Sequence, residues 1–97
     1  MMNLEQFLLT KLAEECVEVA QRALKAQQFG MLEKQPGQDK TNSERLEEEF
    51  TDLIVVWSLV NDVSGLDFLP DPNKMGAKMA KIDKYLKYSQ DLGLVER

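Results

Sequence analysis

The chain has 97 residues, of which 43% are hydrophobic and 30% are charged, and it carries a formal net charge of −5. This length predicts one domain, and the acidity argues against general binding to nucleic-acid polymers or anionic membranes. There is no histidine, and Cys16 is the single cysteine. Catalytic triads that use histidine, the usual zinc sites and an intrachain disulfide are therefore excluded.

The first part of the chain predicts two helices joined by a long connection. The first helix covers about residues 4–28, which contain neither glycine nor proline. A capping box of Thr41 and Glu44 begins the second helix, which continues to about residue 64. The polar connection, residues 31–42, is longer than the usual helix–helix loop. A merely flexible loop and a lid over a ligand site both remain open interpretations.

A third helix is predicted over about residues 72–90, with Asp71 as its N-cap and Pro72 at its first position. The second helix is apolar on nearly every side over residues 53–60, so it needs partners on more than one face. We therefore expect an all-α fold in a single domain, residues 1–97, with three long helices in an antiparallel bundle that dimerisation completes. No apolar stretch is long enough to span a bilayer and no signal peptide is evident, so we expect a cytoplasmic protein.

Helical periodicity also predicts which side chains pack inside. The apolar arc of the first helix contains Leu8, Leu12, Cys16, Val19, Ala20, Ala23 and Leu24. Cys16 lies within this arc and is expected to be an inert, packed thiol. Trp57 is expected to pack in the core or the dimer interface rather than against a base.

Two acidic pairs, Glu15 with Glu18 and Glu49 with Asp52, lie close to apolar faces of the first two helices. The i, i+3 spacing places both members of a pair on one helix face. If the helices pack antiparallel, the four carboxylates converge, and such a group of anions requires cations. Ligation by oxygen alone favours Mg²⁺, with Mn²⁺ as the alternative. A solvated acidic face without metal is the other interpretation of each pair.

The spacing of these acids also matches the motif of a known protein family. Glu14-Glu15-Cys16-Val17-Glu18, followed about thirty residues later by Glu49-Phe50-Thr51-Asp52, resembles the EExxE…ExxD motif of the MazG-like all-α nucleoside triphosphate pyrophosphohydrolases. The order of helices along most of the chain is similar too. The resemblance implies Mg²⁺-dependent hydrolysis of an NTP or dNTP to monophosphate and pyrophosphate, a reaction of nucleotide-pool housekeeping. It also implies a homodimer or a dimer of dimers.

The resemblance assigns roles to individual residues. The metal ligands that it implies are Glu15, Glu18, Glu49 and Asp52. Glu14 and Glu48, each next to a ligand, are candidates to orient or deprotonate the attacking water. The candidate substrate contacts are Lys78, Lys81 and Lys84 for the phosphates and Tyr85 and Phe29 for the base. The rival hypothesis is a non-catalytic helical interaction or regulatory protein, in which the carboxylates meet lysines instead of a metal.

Overall fold

The computed structural model describes all 97 residues and contains three α-helices and no strand. Helix α1 is Leu4–Phe29, α2 is Asn42–Val63 and α3 is Pro72–Asp91. The chain divides into two compact units, Met1–Asp67 with α1 and α2, and Phe68–Arg97 with α3. The predicted all-α class with three long helices is confirmed. None of the helices has both the length and the apolarity that crossing a membrane requires.

Local sequence determines where the helices begin and end. Thr41 Oγ1 accepts a hydrogen bond from Glu44 N at 3.2 Å, and Glu44 Oε1 accepts one from Thr41 N at 3.1 Å, which completes the predicted capping box. Asp71 caps α3 by accepting a hydrogen bond from Asn73 N at 2.8 Å. After α2, Gly65 takes a φ of 64°, a left-handed conformation that glycine adopts without a steric penalty. The observed helix ends therefore agree with the predicted ones to about one residue.

Helices α1 and α2 run in opposite directions beside each other. At one end, the side chain of Asn42 in the first turn of α2 donates a hydrogen bond to Gly30 O, just after α1, at 2.8 Å. At the other end, Ser64 Oγ, just after α2, donates one to Glu5 Oε2 in the first turn of α1, also at 2.8 Å. Contacts that join the end of each helix to the start of the other require an antiparallel pair.

The two helices meet along a seam whose members follow alternating steps of three and four residues, the spacing of antiparallel coiled coils. The seam consists of the buried or half-buried residues Leu8, Leu12, Glu15, Val19, Arg22 and Ala26 of α1 and Asn42, Leu46, Glu49, Leu53, Val56 and Val60 of α2. The buried apolar side chains of the chain are Leu8, Ala26 and Val60. Most of the apolar surface of both helices therefore stays open to solvent.

The seam is rotated around α1 relative to the predicted apolar arc. Cys16, Ala20 and Leu24 are exposed, whereas Glu15, expected at the edge of the arc, lies in the seam. The prediction that Cys16 is packed is wrong within this chain. A single antiparallel partner covers only a narrow stripe of a helix, and Cys16 lies beyond that stripe.

The seam separates two sides of the helix pair. At 100° per residue, residues displaced from the seam in the same rotational sense lie on the same side of an antiparallel pair. The first, which we call the apolar side, carries Leu9, Cys16, Ala20, Phe50 and Ile54. The second, which we call the acidic side, carries Glu14, Glu18, Glu48 and Asp52. These four acids thus lie across the seam from Leu9, Phe50 and Ile54, although the exposed Leu59 shares the acidic side.

The second unit contains α3, none of whose residues is buried. Its apolar stripe has the predicted helical spacing and consists of Met75, Met79, Ile82 and Leu86. Lys87 Nζ and Asp83 Oδ2 form an i, i+4 ion pair at 2.9 Å. The helix thus carries one apolar and one charged stripe, as its sequence predicts.

Candidate metal site

Three glutamate side chains from two helices converge at the seam. Glu15 and Glu18 of α1 and Glu49 of α2 each place a carboxylate oxygen within 4.8 Å of the others. Glu15 and Glu49 are half-buried seam residues, whereas Glu18 is exposed on the acidic side. The antiparallel pairing of α1 with α2 therefore brings together three of the four residues that the sequence analysis named as metal ligands.

No lysine or arginine of the chain forms an ion pair with the clustered glutamates. Oε2 of Glu15 and Oε2 of Glu49 are both buried without a hydrogen-bond partner. None of the three glutamates forms an ion pair, although Lys11 pairs with the adjacent Glu14 at 3.2 Å and Lys40 pairs with Glu48. Buried carboxylate oxygens without partners are unfavourable, and natural structures seldom retain them. An external cation would satisfy both oxygens.

The pKa values of two of the clustered glutamates are raised, because their carboxylates lie close together in a partly buried place. Burial raises the pKa of Glu15, and the nearby Glu18, Asp52 and Glu14 carboxylates raise it further. The Glu18 carboxyl group, close enough to share a hydrogen bond when one of the two is protonated, raises the pKa of Glu49, and burial adds to this effect. Both shifts arise because the ionised forms repel one another in a partly desolvated place. A bound cation would attract the ionised carboxylates and would therefore lower their pKa values.

Asp52, the fourth predicted ligand, is exposed and lies outside the group of three. It is nevertheless near enough for its charge to raise the pKa of Glu15 and of Glu49. The seam follows the stripe of Glu49, Val56 and Val60 and leaves Asp52 at its flank. There it lines an open groove together with Glu44, Glu47, Glu48 and Thr51. The assignment of Asp52 as a ligand stays a prediction.

The remaining predicted site residues are exposed. Glu14 and Glu48, the candidates to act on water, are held in the ion pairs with Lys11 and Lys40. The candidate substrate contacts on α3, in the second unit, are Lys78, Lys81, Lys84 and Tyr85. Their contacts with a substrate stay predictions.

Sequence reasoning missed two basic residues of the first unit. Arg22 lies in the seam seven residues after Glu15, and its NH1 group is buried without a partner. Its place in the seam could have been predicted from the sequence, because Arg22 follows the seam residue Glu15 by seven residues. Lys40 belongs to the connection, and its pairing with Glu48, eight residues away, has no local sequence signal.

The residues fit a hard divalent ion, because every donor in the cluster is a carboxylate oxygen and two of the oxygens are buried and unpaired. Comparison with protein-family models, with curated proteins and with solved structures finds no match to this chain. The resemblance to the EExxE…ExxD motif therefore rests on the acidic residues of this sequence alone and stays a prediction.

Proposed function

We propose that the chain is a Mg²⁺-dependent nucleoside triphosphate pyrophosphohydrolase, which converts an NTP or dNTP to the monophosphate and pyrophosphate. The observation that carries the proposal is the convergence of Glu15, Glu18 and Glu49, with buried unpaired oxygens, at the seam of two helices. The spacing of these acids is that of the motif which the sequence resembles. The reaction belongs in the cytoplasm, where nucleotide pools are maintained.

In this proposal, Glu15, Glu18 and Glu49 hold the ion, and Asp52 approaches it from the flank of α2. A bound divalent ion supplies charge neutralisation to phosphate oxygens and makes a nearby water more acidic. Glu14 and Glu48 are the proposed groups that orient or deprotonate this water. The proposed contacts to the substrate on α3 are Lys78, Lys81, Lys84 and Tyr85, since ammonium groups form strong charge-assisted hydrogen bonds with phosphate.

We also propose that the functional form is a homodimer or a dimer of dimers. The exposed apolar side of α1 and α2 supports this, because a chain with so few buried apolar side chains has little core of its own. The rival hypothesis, a non-catalytic interaction protein, expects the clustered carboxylates to pair with lysines. Glu15, Glu18 and Glu49 have no such pairs, which supports the metal-dependent enzyme instead.

The test is pyrophosphate release from a panel of nucleoside triphosphates, with Mg²⁺ and then with a chelator. The wild-type protein should release pyrophosphate only with the metal, and Glu49→Gln should lower the rate at least about 100-fold, as loss of charge at a metal site commonly does. Mg²⁺ should also raise the melting temperature of the wild type by mass action but not that of Glu49→Gln. Glu47→Gln, an exposed position outside the cluster on the same helix, is the matched control and should behave as wild type.

Two results would contradict the proposal. Wild-type turnover by Glu49→Gln would show that the cluster does not hold the reaction's metal. Turnover that is unaffected by the chelator would show that the reaction is not metal-dependent.

A further inference from the structure

A second feature of the first unit is a cleft where the end of α1 meets the connection to α2. It has a volume of about 510 Å³ and is lined by Lys25, Phe29, Glu33, Gln35 and Pro36. This volume lies in the range of small-molecule sites. The cleft offers one aromatic ring, one proline ring, one cation and two planar polar groups. Phe29 is 48% exposed, so much of its surface is open to a ligand.

The wall formed by the connection is held in place by hydrogen bonds to α2. Asn42 Nδ2 donates to Gly30 O at 2.8 Å and to Glu33 Oε1 at 3.1 Å. Arg45 NH1 donates to Gln35 Oε1 at 3.2 Å. Because Asn42 is only 2% exposed, water does not compete for its bonds. The polar groups of the cleft are therefore fixed before any ligand binds.

These bonds use only one polar atom of each side chain. These bonds do not use Glu33 Oε2, an acceptor, or Gln35 Nε2, a donor, and both side chains line the cleft. An acceptor and a donor that line one cleft with an exposed aromatic ring match the edge and face of a planar heterocycle. The Lys25 ammonium lies 5.6 Å from the centroid of the Phe29 ring and adds a positive charge at the border of the cleft.

The cleft is aligned with the acidic cluster along α1. Lys25 and Phe29 follow Glu18 by seven and eleven residues, so each lies within about 20° of Glu18 around the helix axis, one on either side of it. The corresponding rises are about 10 Å and about 16 Å. An extended nucleoside triphosphate covers a similar length. With its phosphates at Glu18, its base reaches Phe29 and Lys25 lies between the two.

We infer that this cleft is a nucleobase subsite that selects cytosine and adenine, in which an exocyclic amino group lies next to an unprotonated ring nitrogen, over uracil and thymine. The inference rests on the proposed function and names its substrate class. The free Glu33 oxygen accepts a hydrogen bond from an amino group, whereas it repels the carbonyl oxygen that uracil carries in place of the cytosine amino group. Phe29 and Pro36 supply the apolar contact with the ring.

The test compares kcat/KM for the triphosphates of cytosine and uracil, as ribo- and deoxyribonucleotides, with Mg²⁺. The wild type should prefer cytosine. In Glu33→Gln the amide oxygen still accepts from Asn42, and the amide nitrogen replaces the free carboxylate oxygen. The preference should therefore shift toward uracil by at least about fivefold, the lower end for one base-reading contact. Gln35→Glu keeps the acceptor for Arg45 and removes the free donor. This variant should lower kcat/KM for cytosine nucleotides, which tests the subsite without changing Glu33.

Phe29→Leu tests the aromatic contact. It should raise KM for both nucleotides at least about fivefold while kcat stays near the wild-type value, because stacking on the base is lost and the acidic cluster is intact. Phe7→Leu is a close control: Phe7 is 47% exposed and has Lys11 at 5.7 Å from its ring centroid, but it lies outside the cleft. Phe7→Leu should leave KM unchanged.

The outcomes separate this inference from the proposed function. Mg²⁺-dependent hydrolysis without base preference, unaltered by Glu33→Gln and by Phe29→Leu, would overturn the nucleobase subsite and leave the enzyme assignment standing. No hydrolysis of any triphosphate by the wild type would overturn both. Circular dichroism of each variant verifies the helical fold, and Gln35→Glu gives an independent answer if Glu33→Gln unfolds.

Discussion

At the scale of single residues, the most informative feature is two carboxylates in a seam that ordinarily takes apolar side chains. Glu15 and Glu49 lie in the same seam as Leu8 and Val60, which are 7% and 3% exposed. Without a cation, the cluster opposes the packing that its neighbours provide. If the cluster is the proposed metal site, its formation lowers the stability of the fold, which is common for binding sites.

This conflict predicts an unusual dependence of stability on pH in the absence of divalent ions. The pKa values of Glu15 and Glu49 are raised above their ordinary 4.5, so the folded protein binds more protons than the unfolded chain just above pH 4.5. The free energy of unfolding should therefore fall as the pH rises from 4.5 through the raised pKa values. Urea denaturation between pH 4.5 and pH 8, with a chelator present, measures this.

Glu49→Gln is the corresponding variant. It removes one of the clustered charges, so it should raise the free energy of unfolding at pH 7 and flatten the pH dependence. Glu47→Gln should do neither. The effect is distinct from that of Glu44, whose pKa is lowered by its hydrogen bond with the backbone of Thr41 and whose contribution is lost only as the pH falls below 4.5. A wild-type stability that rises between pH 4.5 and pH 7 would contradict this account of the cluster.

At the scale of elements, the connection between α1 and α2 is structured rather than loose. The buried Asn42 side chain donates to the end of α1 and to Glu33, and Asn42 N and Ser43 N donate to Glu33 O and Met31 O, each at 2.9 Å. One side chain at the start of a helix thus joins both helices to the segment between them. A freely flexible loop is inconsistent with these bonds.

Replacing Asn42 by alanine should therefore destabilise the first unit. The variant loses two buried hydrogen bonds, one of them to a carboxylate, and we expect the free energy of unfolding to fall by about 2 kcal/mol. Asn73→Ala is the control, since Asn73 occupies the first turn of α3, is exposed and forms no side-chain hydrogen bond. Urea denaturation at pH 7 measures both. Equal stability of the two variants would show that the contact is dispensable.

The elements also show what can be predicted from the sequence and what cannot. The capping box of Thr41 and Glu44 and the cap at Asp71 involve neighbours in the chain, so the helix ends were predictable. The rotation of the seam depends on how many helices cover α1, and this led to the wrong placement of Cys16. The convergence of Glu15, Glu18 and Glu49 was anticipated from spacing, but the clamp by Asn42 was not, because its partners are distant in the sequence.

At the scale of the whole molecule, the exposed apolar side requires an explanation. Leu9, Phe50 and Ile54 are all about half exposed, and they lie on the side of the seam opposite to Glu18. A second copy that packs on the apolar side would complete a four-helix core from two helix pairs and leave the acidic side open to substrate. This geometry accounts for both halves of the proposal, the dimer and the enzyme.

Ile54→Glu should therefore disrupt self-association. A carboxylate in an apolar interface is strongly unfavourable, so the dissociation constant should rise at least about 100-fold. Sedimentation equilibrium over a range of concentrations measures the change. Val17→Glu is the control, because Val17 is a similarly exposed apolar residue that points away from the seam of α1. A wild type that remains monomeric at high concentration, or a dimer that tolerates Ile54→Glu, would contradict the proposed interface.

The Asn42 clamp has a further consequence for protein engineering. Since non-covalent bonds already hold the end of α1 to the start of α2, the covalent path between Gln35 and Thr41 is partly redundant. Doubling the length of such a segment adds only about 0.6 kcal/mol of closure entropy. The turn at Gly37 and Gln38, between the anchored side chains of Gln35 and Lys40, is thus a suitable place to insert a peptide tag or to open the chain for circular permutation.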